Sequence, residues 1–145
     1  MIWNYFTLTE LCASCTARDM QIDNLPSQGC IDNLDRLVCG TLDPLRTIWG
    51  KPIRVSSGYR CKELNKAVGG VPDSYHMLGL AADLSVGLPS ENRRLFELIK
   101  ANMETLHVDK VIAENVTFAG CQWVHIQTNK ENAKPRHIAI LSPRV

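Results

Sequence analysis

The sequence has little that would carry the protein to a membrane or to nucleic acid. Its 145 residues include 16 lysine and arginine residues against 15 acidic ones, a formal net charge of +1. Proteins that coat nucleic acid, or that bind membranes through basic clusters, need an excess of positive charge. No apolar run approaches the ~18 residues that a membrane-spanning helix requires. We therefore expect neither a nucleic-acid partner nor a membrane span.

We expect no secretory signal, because the segment MIWNYFTLTEL has no basic region followed by an apolar one. The sequence contains six cysteines, of which only Cys12 and Cys15 form a C-x-x-C pair. No second pair follows at zinc-finger spacing. We therefore expect synthesis in the cytoplasm, with the cysteines reduced and mostly buried as packing residues.

The chain shows no internal repeat, low-complexity tract or long linker. A length near ~150 residues is typical of one domain. The hydrophobic fraction of 45% and the charged fraction of 21% are those of an ordinary globular protein. We predict one domain over residues 1–145, and we expect a monomer.

Helix signals dominate the first half of the chain. A capping box at Thr7 predicts a short helix. Apolar residues at three- and four-residue spacing predict a longer helix over 31–48, in which Pro44 introduces a kink or a restart. Further helices are predicted over 61–68 and after a cap at Ser90.

Strand signals dominate the second half. The predicted strands cover residues 52–55, 80–85, 108–114, 122–127 and 137–141. The last strands have no helices between them, which argues against a doubly wound sheet. The pattern predicts an α+β fold, with helices packed on a small, mostly antiparallel sheet.

Two of these strands carry residues of the types that bind metals. Strand alternation directs Asp83 away from the apolar face of its strand, and it does the same for His125. If the two strands pair, His76 in the preceding loop could join them. Two imidazoles and one carboxylate with an open fourth position are the ligand set of a catalytic zinc site. An ordinary histidine in a strand and an aspartate at a strand end fit the same spacing, so the pattern alone leaves both interpretations open.

Four motifs follow one another along the chain. They are Ser57-Gly58-Tyr59-Arg60, Leu64-Asn65-x-Ala67-Val68-Gly69-Gly70, Ser74-x-His76-x-x-Gly79-x-Ala81-x-Asp83 and Trp123-Val124-His125. In this order they resemble the zinc D-alanyl-D-alanine carboxypeptidase family. The resemblance is strongest to its small bacterial and phage branch, which includes L-alanyl-D-glutamate endopeptidases of phage lysins. It runs from Phe6 to about Gln127 and implies a fold like that of hedgehog domains and D-Ala-D-Ala peptidases.

The resemblance implies a role for each matching residue. His76, Asp83 and His125 would bind Zn²⁺, and Arg60 would be a catalytic and substrate-binding residue that holds a carbonyl or carboxylate group. We also predict that Ser74 binds substrate. The implied substrate is the peptide stem of peptidoglycan, cut at either D-Ala-D-Ala or L-Ala-D-Glu.

The general base is the one part of the resemblance that this sequence does not match. Many relatives carry an acidic residue three positions before the last histidine ligand, where this chain has Gln122. We predict Glu114 on the neighbouring strand as the catalytic base, with Asp109 as a second candidate. The alternative is a catalytically impaired zinc-binding module that recognises peptidoglycan or has a structural role.

The expected substrate and the expected site of synthesis lie on opposite sides of the membrane. Peptidoglycan is outside the cytoplasm, whereas the sequence predicts a cytoplasmic product. We therefore expect the protein to reach the wall after cell lysis or through holin-type release.

Overall fold

The computed structural model describes residues 2–144, which form an α+β fold. The helices are α1 (Leu8–Cys12), α2 (Cys15–Asp19), α3 (Gln28–Leu37), α4 (Asp43–Trp49), α5 (Lys62–Ala67) and α6 (Pro89–Ala101). The strands are β1 (Arg54–Ser57), β2 (Ala81–Ser85), β3 (Val108–Val116), β4 (Trp123–Thr128) and β5 (Ile138–Pro143). The predicted fold class is confirmed. None of the helices within residues 2–144 is long and apolar enough to cross a membrane.

The strands form one five-stranded sheet in the order β1-β2-β4-β3-β5. Each neighbouring pair is antiparallel except β3 and β5, which are parallel. One face of the sheet is apolar and belongs to the hydrophobic core, together with residues of α3, α4 and α6. The residues that this face contributes from β2, β3 and β4 are Ala82, Leu84, Val111, Ala113, Val124 and Ile126. The opposite face carries the polar residues of the site.

The predicted long helix is divided into α3 and α4 by a turn of π-helix over Val38–Leu42. In this turn the Asp43 backbone N–H donates to the Val38 carbonyl, five residues back. Pro44 causes the interruption because it has no amide hydrogen and its ring blocks the carbonyl four residues before it. Gly50 ends α4 with a φ of 78°, a left-handed conformation that glycine adopts without strain.

Several predicted boundaries are corrected. The Thr7 side chain does accept the Glu10 backbone N–H, but the predicted short helix is followed by a separate helix, α2, capped by Ser14. Ser90 is not a cap, because α6 begins at Pro89, whose fixed φ favours the first helical position. The loop predicted before β2 contains a 3₁₀ helix over Tyr75–Leu78.

The six cysteines are all free thiols. Only Cys121 is buried, whereas Cys15 and Cys39 are exposed. The prediction that the cysteines are mostly buried is therefore wrong. For Cys15 the reason is that the short helix α2 buries only its Ala17 side chain, leaving its other positions at the surface.

Candidate active site

Asp83 and His125 lie directly opposite each other on neighbouring strands, β2 and β4. Because directly opposite residues share a face of the sheet, both side chains project from the polar face. The His125 Nδ1 atom lies 3.1 Å from Asp83 Oδ1. The pairing of β2 with β4 therefore brings Asp83 and His125 together.

His76 reaches the same carboxylate from the 3₁₀ helix before β2. Ser74 caps this helix, its Oγ accepting the His76 backbone N–H at 3.2 Å, and Gly79 ends it in a left-handed conformation. The His76 Nδ1–H donates to the Gly58 carbonyl at 2.7 Å. A carbonyl can only accept, so Nδ1 carries a proton, and in the neutral imidazole that binds a metal Nε2 then has the lone pair. That Nε2 atom lies 3.3 Å from Asp83 Oδ1.

The three side chains have the geometry of a metal centre. One ligand atom from each of His76, Asp83 and His125 lies within 4.8 Å of the other two. In the part of the chain that the structure describes, residues 2–144, no other group of three histidine, cysteine or acidic side chains meets this condition. The two imidazole nitrogens and the carboxylate oxygen face one another across this short distance, and nitrogen and oxygen donors of these types bind divalent metals. The donor set therefore fits a divalent metal such as zinc.

Asp83 is held in its ionised form. Burial would raise its pKa, but the adjacent His125 and His76 side chains lower it well below the usual range of an aspartate. Only 8% of Asp83 is exposed, so water screens these interactions weakly. A permanently ionised carboxylate is what a metal ligand requires.

Arg60 is fixed beside Asp83 by three polar side chains. Its Nη2 donates to Asp83 Oδ2 at 3.3 Å, its Nε donates to Ser57 Oγ at 3.0 Å, and its Nη1 donates to Asn65 Oδ1 at 3.2 Å. Burial lowers the pKa of Arg60, and the nearby Asp83 charge opposes that shift. Ordering by three acceptors places a rigid positive charge next to the candidate ligands.

The three candidate ligands and Arg60 open onto one cavity of about 650 Å³. Arg60, Ser74 and the three candidate ligands line it, together with Lys110, Ile112, Glu114, Trp123, Gln127, Lys130 and Arg136 among others. A space of this size accommodates a small peptide segment.

Of the predicted base, Glu114, and the residue at the position expected for it, Gln122, only Glu114 lines the cavity. Glu114 faces the cavity from β3, opposite Trp123. Its carboxyl is half-buried, and burial raises its pKa. Gln122 is exposed, and its Oε1 accepts from Asn115 outside the cavity.

Asp109, the second candidate for the base, does not line the cavity. It is only 2% exposed, and its oxygens accept hydrogen bonds from Gln127 and Arg136. Burial would raise its pKa, but these hydrogen bonds lower it to about 2. So weak a base, with its oxygens occupied, is poorly suited to proton transfer at the candidate ligands.

The sequence reasoning missed the residues that hold the site in place. Asn65 was part of a quoted motif, but nothing in its spacing indicated a contact with Arg60. Gln127 follows His125 by two positions, so strand alternation alone places both on one face. That signal was available, although it could not identify the partners.

Three converging ligand atoms beside a fixed arginine, at the wall of an open cavity, are typical of a metal-dependent hydrolase. The family model described as Peptidase M15 matches residues 4–127. The chain therefore belongs to the peptidase M15 family, as the sequence motifs predicted. It is a hydrolase of the metallopeptidase class, and its substrate is a peptide. No curated protein sequence matches the chain.

Proposed function

We propose that this protein is a zinc peptidase that cleaves the peptide stem of peptidoglycan, at D-Ala-D-Ala or at L-Ala-D-Glu. The observation that carries the proposal is the convergence of His76 Nε2, Asp83 Oδ1 and His125 Nδ1 at one point on the cavity wall. Membership of the peptidase M15 family supports the reaction class. The proposal includes both cleavage positions, because no contact in the cavity favours one of them.

In this proposal the three side chains hold Zn²⁺ and leave one side open towards the cavity. Zinc held there would supply Lewis-acid chemistry, polarising the scissile carbonyl and making water more acidic at the site. The hydrogen bond from His76 to Gly58 keeps the Nε2 lone pair directed at the metal position.

Arg60 is proposed to bind the substrate carbonyl or carboxylate. Its guanidinium is already ordered by Ser57, Asn65 and Asp83, so little side-chain entropy is lost when substrate binds. A fixed positive charge at this place also stabilises negative charge that develops on the carbonyl oxygen. We propose Ser74 as a second substrate-binding group, since it lines the cavity and its hydroxyl hydrogen remains available to a substrate oxygen.

Glu114 is proposed as the general base. Its position on the wall of the cavity that His125, Asp83 and His76 also line supports this role. Burial raises the pKa of Glu114, which brings its basicity closer to working pH. A half-buried carboxylate facing the candidate ligands can therefore take a proton during the attack on the peptide bond.

The test is digestion of purified peptidoglycan by the zinc-loaded protein, with the released fragments identified by mass spectrometry. We expect loss of D-alanine, or separation at L-Ala-D-Glu, from the stem peptides. Glu114→Gln should reduce the rate about 10²- to 10⁴-fold while zinc stays bound. The matched control is Glu104→Gln, which alters an exposed glutamate that does not line the cavity. An unchanged rate in Glu114→Gln would show that another group acts as the base.

One observation favours a second function, a zinc-binding module that recognises peptidoglycan without cutting it. The position where many relatives carry an acid is occupied by Gln122, whose side chain is exposed and cannot ionise. The same digestion separates the two functions. A protein that holds one zinc ion and binds peptidoglycan, yet never releases a fragment, is the recognition module.

We further propose that the protein acts as a monomer, and that it reaches the wall after synthesis in the cytoplasm.

A further inference from the structure

A chain of hydrogen bonds extends from His125 into the protein, on the side away from Asp83. The His125 Nε2 atom lies 2.8 Å from Gln127 Oε1, and Gln127 Nε2 donates to Asp109 Oδ2 at 2.9 Å. Gln127 and Asp109 are only 3% and 2% exposed. At that burial, neither side chain can exchange its partners for water without a cost.

The chemistry of the last acceptor determines the direction of every bond in this chain. Asp109 is a carboxylate, which accepts only, so Gln127 must present its amide N–H to it. The Gln127 oxygen therefore faces His125, and because that oxygen also accepts only, the proton of the imidazole lies on Nε2. In the neutral imidazole that binds a metal, the lone pair is then on Nδ1, the atom that lies 3.1 Å from Asp83 Oδ1.

Arg136 fixes the orientation of Asp109. Its Nε and its backbone N–H both donate to Asp109 Oδ1 at 3.0 Å, and its Nη2 donates to Oδ2 at 2.7 Å. Two parallel hydrogen bonds from one guanidinium hold the carboxylate group in a single orientation. Arg136 precedes β5, in a part of the chain that follows the matched family region, which ends at residue 127. The segment after the family region therefore reaches the candidate site through Asp109.

We propose that Gln127 and Asp109 are positioning residues that hold His125 with its Nδ1 lone pair directed at the metal, and that Arg136 keeps Asp109 in place for this task. The inference rests on the proposed function in that it takes the three side chains to bind zinc. It adds a carboxylate–amide–histidine relay in which glutamine transmits the orientation that a carboxylate otherwise imposes on a ligand histidine directly. None of these three residues acts on the substrate in this inference.

The experiment measures the zinc dissociation constant by competition with a chromophoric chelator, so that it does not depend on peptidase activity. Gln127→Met preserves length and removes the hydrogen bonds. We expect its zinc affinity to fall about 10- to 100-fold. Gln122→Met is the matched control, because that glutamine is exposed and its side chain accepts a hydrogen bond from Asn115, away from His125. The control should retain the wild-type affinity.

Two further measurements separate positioning from mere structural support. The exchange Gln127→Glu again places an oxygen acceptor opposite His125 Nε2, so we expect it to retain more of the zinc affinity than Gln127→Met. The visible spectrum of the Co²⁺-loaded protein should change in Gln127→Met and change less in Gln127→Glu, since it reports the ligand field directly.

Arg136→Gln keeps the inference testable if Gln127→Met fails to fold, because the Arg136 side chain is half exposed and is easier to replace. This variant should lose zinc affinity by a smaller factor. Zinc affinities equal to wild type in the folded variants would overturn the inference while leaving the proposed function intact. A wild-type protein that binds no zinc would overturn both.

Discussion

Replacing Gly58 with alanine would place a methyl group against the main chain of α1, at Leu11. A Cβ atom at this position would lie 2.2 Å from the Leu11 carbonyl oxygen and 3.0 Å from its carbon. The two backbones are held together there, because the Tyr59 N–H donates to the same Leu11 oxygen at 2.7 Å. Reaching even the 3.0 Å limit for such contacts requires a separation of about 0.8 Å between two segments of main chain.

That movement acts on the site because the Gly58 carbonyl accepts the His76 Nδ1–H at 2.7 Å. Lengthening this bond by the same 0.8 Å would take it out of the range of hydrogen bonds. We expect Gly58→Ala to lower the free energy of unfolding by about 1–3 kcal/mol through overpacking. Zinc affinity should fall about 10-fold or more, because His76 loses the group that orients it.

Chemical denaturation of the metal-free protein measures the first effect, and chelator competition measures the second. Gly29→Ala is the control, since a Cβ in that position of α3 meets only Ser27 Oγ at 3.9 Å. Alanine there should stabilise the helix by about 0.5–1 kcal/mol. A Gly58→Ala protein with wild-type stability and wild-type zinc affinity would refute the argument from the close approach to Leu11.

Three further predictions concern charge and metal. Asp109 has a depressed pKa of about 2 when folded, so its stabilisation is present above its unfolded pKa of ~4 and is lost as pH falls towards 2. Wild type should therefore exceed Asp109→Asn by about 2 kcal/mol in urea denaturation at pH 6, with the difference disappearing near pH 2; a difference independent of pH would contradict this. Zinc at about 100 times its dissociation constant should add about 2.7 kcal/mol of stability, reversed by a chelator and absent in His125→Ala, as thermal melting can show. Arg60→Lys keeps the charge but not the planar fork that reaches Ser57, Asn65 and Asp83, so kcat/KM should fall at least ~10-fold with zinc still bound, and equal kcat/KM values would argue against Arg60 as a substrate-binding group.

The sequence predicted the site well where the signal was local. Strand alternation placed Asp83 and His125 on the polar face of the sheet, and their strands pair with these residues directly opposite each other. The N-cap at Thr7 and the stop at Gly50 are confirmed, since both depend on contacts within four residues. The resemblance predicted the family, which matches residues 4–127.

Predictions that needed the balance between competing local signals were less successful. Ser90 is a good capping residue, but the neighbouring Pro89 favours an earlier start of α6. The apolar stripe through Pro44 predicted helix on both sides of the proline, but it could not predict the widened turn over Val38–Leu42. Apolar spacing shows which face is buried, and it contains no information on hydrogen-bond register.

By itself, the sequence determined the class of fold, because side-chain type and period are properties of neighbouring positions. Its motifs also predicted the family and the three candidate metal ligands. Only the tertiary structure decided what surrounds those residues. The strand order β1-β2-β4-β3-β5 puts Glu114 on the cavity wall and turns Asp109 towards Gln127, eighteen residues away. The His76 contact with Gly58 spans the same sequence distance. Such pairings depend on how strands meet across the sheet, which local alternation and propensity do not specify.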